Sequence, residues 1–390
     1  MRQNSIIFGE LLKLFPISKF KQAVAKYKTD RYTKTFSSYQ QFMALFYAQI
    51  QGLDSLREVE TSLEANNAKW YHTGFTGVKR STLSEALRNR DSIIYEELFY
   101  TMLAQCKIHT PGHKFRFRND LYSIDSSIVD LCLKIFPWAK FRKRKGAIKI
   151  HTLLNHNGLL PEFIQITDGK KHDSKAVQMD GSIDSALLPD SIITFDRAYI
   201  DYKWLDSLTQ RGIFFVVRCK KNLSYNLTGQ HKPIKNKHII RDDKIELASQ
   251  QALKNYPGKL RFVEFYDEKK DKHYEYISNI FHLSAKTIAD IYKDRWQIEL
   301  FFKWIKQNLK IKSFLGTNKN AVMTQVWVAM CTLLLLKYIK FQTNFSDSVT
   351  VLARIIRATL MSRRNLIDIL KLRKIVSDQR DNKQWQLALF

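Results

Sequence analysis

Residues Tyr292, Arg295, Glu299 and Lys306 are spaced so that one helix can carry all four along a single edge. Each helical residue turns about 100°, which places the four within roughly 60° of one another. Beside them runs an apolar stripe of Ile291, Ile298, Phe302, Ile305 and Leu309. Such a helix must lay its stripe on a core and leave its polar edge open. That edge holds one acid, two cations and a phenol, a set suited to holding a metal ion and gripping phosphates.

Charge narrows the partners. Lys and Arg total 64 against 37 Asp and Glu, a net charge of +27 over 390 residues. A chain this basic repels itself unless it meets a polyanion, and nucleic acid fits because neutralising its phosphates releases counterions. The cations are spread along the whole chain, which suggests a long binding track. Four scattered cysteines, Cys106, Cys132, Cys219 and Cys331, form no C-x-x-C pair, so neither a zinc ribbon nor a redox pair is indicated. The N-terminus does not read as a signal peptide, and the greasiest run, Val326 to Leu336, is too short to span a bilayer and reads as a core helix. No membrane partner and a cytoplasmic setting, nucleoid-associated when bound, are expected.

The length predicts two or three domains. Residues 1–115 read as helical, with Ser37 and Ser55 as caps. A short helix, a connector and the run Leu83–Arg90 resemble helix-turn-helix DNA binding, with Arg88 and Arg90 as DNA contacts; an ordinary basic surface helix is the plainer reading. Near 116 the pattern changes to strands: 122–125, 147–154, 162–167, 191–195 and 213–217, with a helix at 202–210. Antiparallel strands followed by crossovers predict an α/β fold, a mixed sheet flanked by helices. Residues 221–281 read as a β-rich insertion. A core of 116–220 and 282–345 and a helical tail of 346–390 complete the division.

Asp125 and Asp196 each close a short β-type run, and Glu299 sits on the helix that follows the insertion. A helix packed across the strand ends would bring the three carboxylates together, and hard divalent ions with oxygen ligands would relieve their repulsion. Two such ions about 4 Å apart serve in-line phosphoryl displacement. Taken singly, each acid has a plainer role: a turn residue, a surface ion pair with Arg197, a solvated helix glutamate paired to Arg295 or Lys303. His172 and Asp173 could stand near the site. The basic turn Arg142, Lys143, Arg144 and Lys145 is a candidate phosphate contact.

Together, Ile-Asp125-Ser, Phe-Asp196-Arg197 and Tyr292-x2-Arg295-x3-Glu299-x6-Lys306 resemble the DDE transposases of bacterial insertion sequences. More narrowly they resemble the insertion-sequence-four family with its Y-R-E-K signature. The resemblance implies an RNase H-like core, a β-rich insertion and a helical N-terminal DNA-binding domain. It implies two Mg²⁺ ions, with Mn²⁺ an alternative, on Asp125, Asp196 and Glu299. Tyr292, Arg295, Lys306, Trp296 and Arg197 would lie along the DNA. It further implies cutting at terminal inverted repeats, joining to target DNA and a homodimer in the synaptic complex. Relatives stack a flipped base on an insertion Trp; no Trp lies between Trp204 and Trp296 here, which leaves a Tyr or Phe, or Trp296, for that role. Two rivals remain: a Mg²⁺-dependent structure-selective nuclease on the same fold, and a non-catalytic helix-turn-helix DNA-binding protein.

Overall fold

The computed structural model describes residues 5–142, 145–169, 182–231, 234 and 236–371. Lys143, Arg144, His172, Asp173 and the tail beyond 371 lie outside the described residues. The chain divides into two compact units, one running from Gly112 to Trp304 and the other joining the residues up to Pro111 with those from Ile305 on. The core expected over 282–345 is therefore shared between them.

The first unit opens with helices α1 (Ile7–Lys13), α2 (Ile17–Tyr27), α3 (Ser38–Gln51), α4 (Leu56–Ala65), α5 (Arg80–Asn89) and α6 (Ile93–Lys107). Ser37 and Ser55 cap α3 and α4 by accepting from Gln40 N–H and Glu58 N–H, as the sequence leads one to expect. An aromatic cluster fills the centre: Phe8, Phe42, Phe46, Tyr47 and Trp70 are buried, and Phe42 stacks on Phe46 at 5.8 Å. The stretch between α4 and α5 runs from 66 to 79 and holds two short 3₁₀ turns, far more than the three or four residues of a helix-turn-helix turn. The helix-turn-helix expectation fails on that spacing.

The second unit is one ten-stranded sheet. Its strands are β1 (Leu121–Leu131), β2 (Lys140–Arg142), β3 (Lys145–Asn155), β4 (Leu160–Asp168), β5 (Ile192–Phe195), β6 (Phe214–Arg218), β7 (Tyr225–Gln230), β8 (Ile239–Leu247), β9 (Leu260–Asp267) and β10 (Lys272–Ser278). The order is β2-β3-β1-β5-β6-β10-β9-β8-β7, with β4 also on β3. β1, β3 and β4 pair antiparallel, and β5 and β6 lie parallel to β1. That is the strand order of an RNase H-like core. Helices α7 (Ser182–Ala186), α8 (Tyr202–Gln210) and α9 (Gln250–Asn255) precede α10 (Ala285–Asp294) and α11 (Trp296–Asn308).

The β-rich insertion does not stand apart from the core. β10 pairs antiparallel with β6, Ile277 opposite Val217, so the inserted strands prolong the same sheet. β7 and α9 were not foreseen; β7 is a mostly exposed edge strand and lacks the apolar alternation that betrays a half-buried one. One sheet face buries Ile124, Phe195 and Phe215 with Leu205 of α8. The other buries Leu121, Ile192 and Val216 against Ile288 and Ile291 of α10.

Arg261 ties the insertion to the loop before α10. It is 1% exposed, pairs through two nitrogens with Asp242 at 2.7 and 2.9 Å, and donates to the carbonyls of Ile280 and Leu283. In the first unit α12 (Lys319–Gln342) and α13 (Val349–Thr359) follow. α12 has the length and apolarity to cross a membrane, but 83% of its apolar window is buried in the fold, so it is the core helix the sequence suggests. Replacing Arg261→Leu strands the buried Asp242 carboxylate and should cost about 3–5 kcal/mol of stability. Denaturant unfolding followed by tryptophan fluorescence checks this; a loss below about 1 kcal/mol would show the pair to be dispensable.

Candidate active site

Strand register brings the first two acids together. Parallel pairing of β1 with β5 ends at Ile124 opposite Phe195, so Asp125 and Asp196 are the next residues on neighbouring strands. Neighbouring strands lie about 4.8 Å apart. Asp125 does not end its strand as the sequence suggests: β1 continues to Leu131, paired to β3 alone. Side chains alternate along a strand, so Asp125 shares the face of Leu121 and Ser123, and Asp196 that of Ile192. This is the face α10 covers.

The helix expected from Tyr292 to Lys306 is interrupted at Arg295. α10 ends at Asp294 and α11 begins at Trp296, with Arg295 still in right-handed helical geometry. Arg295 N–H donates to Tyr292 and Ile298 N–H to Arg295, both at 3.1 Å and both three residues apart, a single tightened turn. The apolar stripe is buried throughout, from Ile291 to Leu309. Arg295 itself is largely buried, and its guanidinium bridges two of the three acids. Nη1 lies 3.3 Å from Asp125 Oδ2 and Nη2 lies 2.7 Å from Glu299 Oε1. It also sits over the Tyr292 ring at 5.7 Å.

Electrostatics agree with a crowded set of acids. Burial pushes the Asp125 carboxyl up to about 6; the Ser126 N–H and Arg295 pull it down, while the charges of Glu299 and Asp196 push it up further. Among the described residues no three His, Cys, Asp or Glu stand ready to hold one ion. The reason is visible in the geometry: the guanidinium lies between Asp125 and Glu299. The donors nonetheless suit a hard divalent ion, being carboxylate oxygens that need positive charge between them. Burial raises the Tyr292 phenol above its ordinary range, keeping it a neutral hydroxyl donor.

A cavity of about 870 Å³ opens beside this cluster, lined by Lys114, Phe265, Tyr274, Tyr276, Tyr292 and Trp296 among others. Tyr276 and Tyr292 stand 5.0 Å apart, Arg218 lies over Tyr274, and Trp296 is more than half exposed. Aromatic faces between cations can take up a planar ring.

The other expected DNA contacts fare unevenly. Arg197 is exposed in the turn after Asp196, Lys145 is exposed at the start of β3, and Arg88 is exposed on α5. The backbone of Arg142 ends β2, while Lys143 and Arg144 are not among the described residues. Lys306 lies on the last turn of α11. Arg90 is a correction: it is 9% exposed, donates to Gln41 and to the Phe36 carbonyl, and pairs with Asp30. It is committed inside its unit and is not open to DNA.

Sequence reasoning missed a buried chain of polar groups. Ser123 Oγ meets His156 Nε2 at 2.6 Å, and His156 Nδ1 meets Asp294 Oδ2 at 2.9 Å. Lys114 donates to the other Asp294 oxygen at 2.5 Å. All three of Ser123, His156 and Asp294 are buried, so this is an internal clamp. It ties β1, two residues before Asp125, to the residue preceding Arg295. In the sequence His156 is only part of a turn motif. Nothing there announces its partner 138 residues away.

With the fold and geometry in hand, comparison with known proteins identifies the class. Residues 116–335 match the family model described as the transposase DDE domain. Residues 3–76 match a domain of unknown function (DUF4372). A Sinorhizobium fredii protein named as transposase y4zB is 30% identical over 292 residues, covering 74% of this chain and 79% of its own. A Geobacillus stearothermophilus protein, named for insertion sequence element IS5377, is 27% identical and covers 70% of both chains. The piggyBac transposase, in a synaptic complex with hairpin DNA, shares the fold at TM-score 0.50 and 13% identity, over 94% of this chain and 83% of that one. The chain belongs to the DDE transposases. It is a DNA transposase, of a class whose cleavage and strand transfer depend on divalent metal.

The clamp has a pH signature. Burial alone would raise the Asp294 carboxyl, but the hydrogen bonds from His156 and Lys114 override it and bring it down to about 2. A depressed carboxyl stabilises the fold above its unfolded value near 4 and loses that contribution as pH falls toward 2. The shift is worth roughly 2 kcal/mol. Asp294→Asn should therefore flatten the fall in stability between pH 4 and 2. Acid unfolding followed by circular dichroism reads it, and an unchanged profile would count against the clamp.

Proposed function

We propose that the protein cuts the ends of an insertion sequence and joins them to target DNA, with Asp125, Asp196 and Glu299 as ligands of two Mg²⁺ or Mn²⁺ ions. The observation that carries this reading is the adjacency of Asp125 and Asp196 in the β1–β5 register, with Arg295 spanning from Asp125 to Glu299. The spacing Tyr292, Arg295, Glu299, Lys306 supports placement in the insertion-sequence-four group. Divalent ions held by Asp125, Asp196 and Glu299 would supply activation of the attacking water or sugar hydroxyl and stabilisation of the leaving oxygen.

The chain's own residues then have separate tasks. Arg295 leaves its two carboxylates and takes a DNA phosphate, for which its planar fork is suited. The Tyr292 hydroxyl donates to a neighbouring phosphate oxygen. Lys306, Arg197 and Lys145 supply further phosphate contacts. The Ser123–His156–Asp294 clamp fixes the helix turn against β1 so that these groups keep their places. Trp296 and the tyrosine-lined cavity take an unstacked base, which supports second-strand cleavage through a hairpin. Two ends held together require a second copy, and the protein acts in the cytoplasm on the element's terminal repeats.

Glu299→Gln should lower end cleavage by at least about a thousandfold while leaving end binding within about threefold. Retained cleavage would end the three-carboxylate reading. Cleavage without joined product from pre-cut ends would favour the nuclease. Arg295→Gln should tighten Mn²⁺ binding in the absence of DNA about tenfold, because the competing guanidinium is gone. Titration followed by the Mn²⁺ electron resonance signal measures this; unchanged or weaker binding would show that Arg295 does not hold the ions' place.

A further inference from the structure

Beside the acids the sheet carries a buried hydroxyl with nothing to bond. Thr152 of β3 is fully buried, and among the described residues its Oγ1 meets no hydrogen-bond partner. Leaving a buried donor unmade costs free energy. Valine has the same branched shape and would fill the same space without that cost. Packing therefore does not account for a threonine at this position.

The strand register shows what the hydroxyl faces. Thr152 stands directly opposite Asp125 of β1, and residues paired in this way share a sheet face with Cβ atoms about 4.5–5.5 Å apart. On its other side Thr152 pairs with Ile164 of β4. Along its own strand the neighbours on this face are Ile150 and Leu154. These three are buried and apolar, so Asp125 is the polar one of the four. Thr194 of β5 is a second buried hydroxyl without a partner among the described residues. It pairs with Ser123, two residues short of the acids, and serves as a matched reference.

Asp125 has room for another donor. An ionised carboxylate accepts at about four positions. Here Oδ1 takes the Ser126 N–H at 2.8 Å and Oδ2 takes Arg295 Nη1 at 3.3 Å. The second contact is longer than the roughly 2.7–2.9 Å of a strong charge-assisted bond, while the same guanidinium holds Glu299 at 2.7 Å. A carboxylate that ligates a metal keeps its aim through hydrogen bonds to its remaining lone pairs.

We propose that Thr152 is a positioning residue for Asp125: when Arg295 gives up that carboxylate, the Thr152 hydroxyl donates to it and keeps it aimed at the ion. The inference rests on the reading of Asp125, Asp196 and Glu299 as metal ligands. It gives the unpartnered hydroxyl its acceptor in the loaded site, and it explains why an oxygen is kept where a methyl would pack.

The test is Mn²⁺ binding by the full chain without DNA, read from the electron resonance signal, beside denaturant unfolding of the metal-free protein. Thr152→Val should weaken Mn²⁺ binding about tenfold or more, the usual cost of removing a hydrogen bond behind a ligand. Its metal-free unfolding midpoint should be unchanged or higher, since no bond is lost there. Thr152→Ser keeps the hydroxyl and should bind Mn²⁺ within about threefold of the parent chain. Unchanged binding in Thr152→Val overturns the proposal. So does a lowered metal-free midpoint, which would give the hydroxyl a structural partner, or an equal loss of binding in Thr194→Val, which would make the effect general to the sheet. Glu299→Gln separates this from the metal reading itself. If that variant loses Mn²⁺ while Thr152→Val keeps it, the three acids stand as ligands and only the role of Thr152 falls. If Glu299→Gln binds Mn²⁺ as the parent does, the ligand reading falls and takes the proposal with it.

Discussion

Like charges cannot be gathered without a cation among them, and this constraint organises the catalytic unit. Asp125, Asp196 and Glu299 come from two strands and a helix, and the folded chain holds Asp125 and Glu299 on one guanidinium. On the proposed metal-ligand reading, Arg295 is a placeholder that lets the acids approach before any ion arrives. Its position is set by the tightened turn between α10 and α11, and the neighbouring Asp294 is clamped to His156. The buried Ile288 and Ile291 hold α10 on the sheet face, and the clamp adds a polar tie at its C-terminal end. The arrangement is preorganised in its backbone and provisional in its charge pairing.

The sheet gives that arrangement its rigidity. A core of five strands would end at β6, leaving an edge close to the site. Here β10 closes that edge and carries β9, β8 and β7 with it. Arg261 then anchors the added strands to the loop that leads into α10. The insertion thereby does two things: it extends the hydrogen-bonded platform, and it sets Tyr274 and Tyr276 opposite Tyr292. The cavity beside the acids exists because the insertion is continuous with the core.

Much of this was legible in the sequence. The strands of the core, the helix at 202–210 and the buried stripe of the Glu299 helix follow from periodicity, because each buries one face against one core. What escaped is instructive. The break at Arg295 leaves no trace in composition, since its backbone stays helical and only the hydrogen bonding tightens. Arg90 looked like a surface cation because position alone cannot show that Phe36, Gln41 and Asp30 surround it. The Ser123–His156–Asp294 clamp joins residues far apart in the chain, none with a spacing that marks it. Asp125 seemed to end a strand because its polar neighbours Ser126 and Ser127 interrupt the apolar pattern, while the backbone continues its pairing with β3.

The distribution of cations carries the last step. The arginines with the most demanding partners, Arg90, Arg261 and Arg295, are turned inward, where a rigid fork with several donors can satisfy carboxylates and carbonyls together. Lysines of α2 and its following turn point outward, where a compact hydrated charge costs little to expose. A net charge of +27 therefore describes two populations. The inward arginines hold the fold and the acids in register, and the outward lysines give the surface its positive field. Because a field of this sign is long-ranged and the acid cluster is local, a net positive surface can attract DNA even though the proposed site is lined with carboxylates. On the proposed reading of the site, repulsion between those carboxylates and the arriving phosphates is the force that favours divalent ions at the moment DNA is bound.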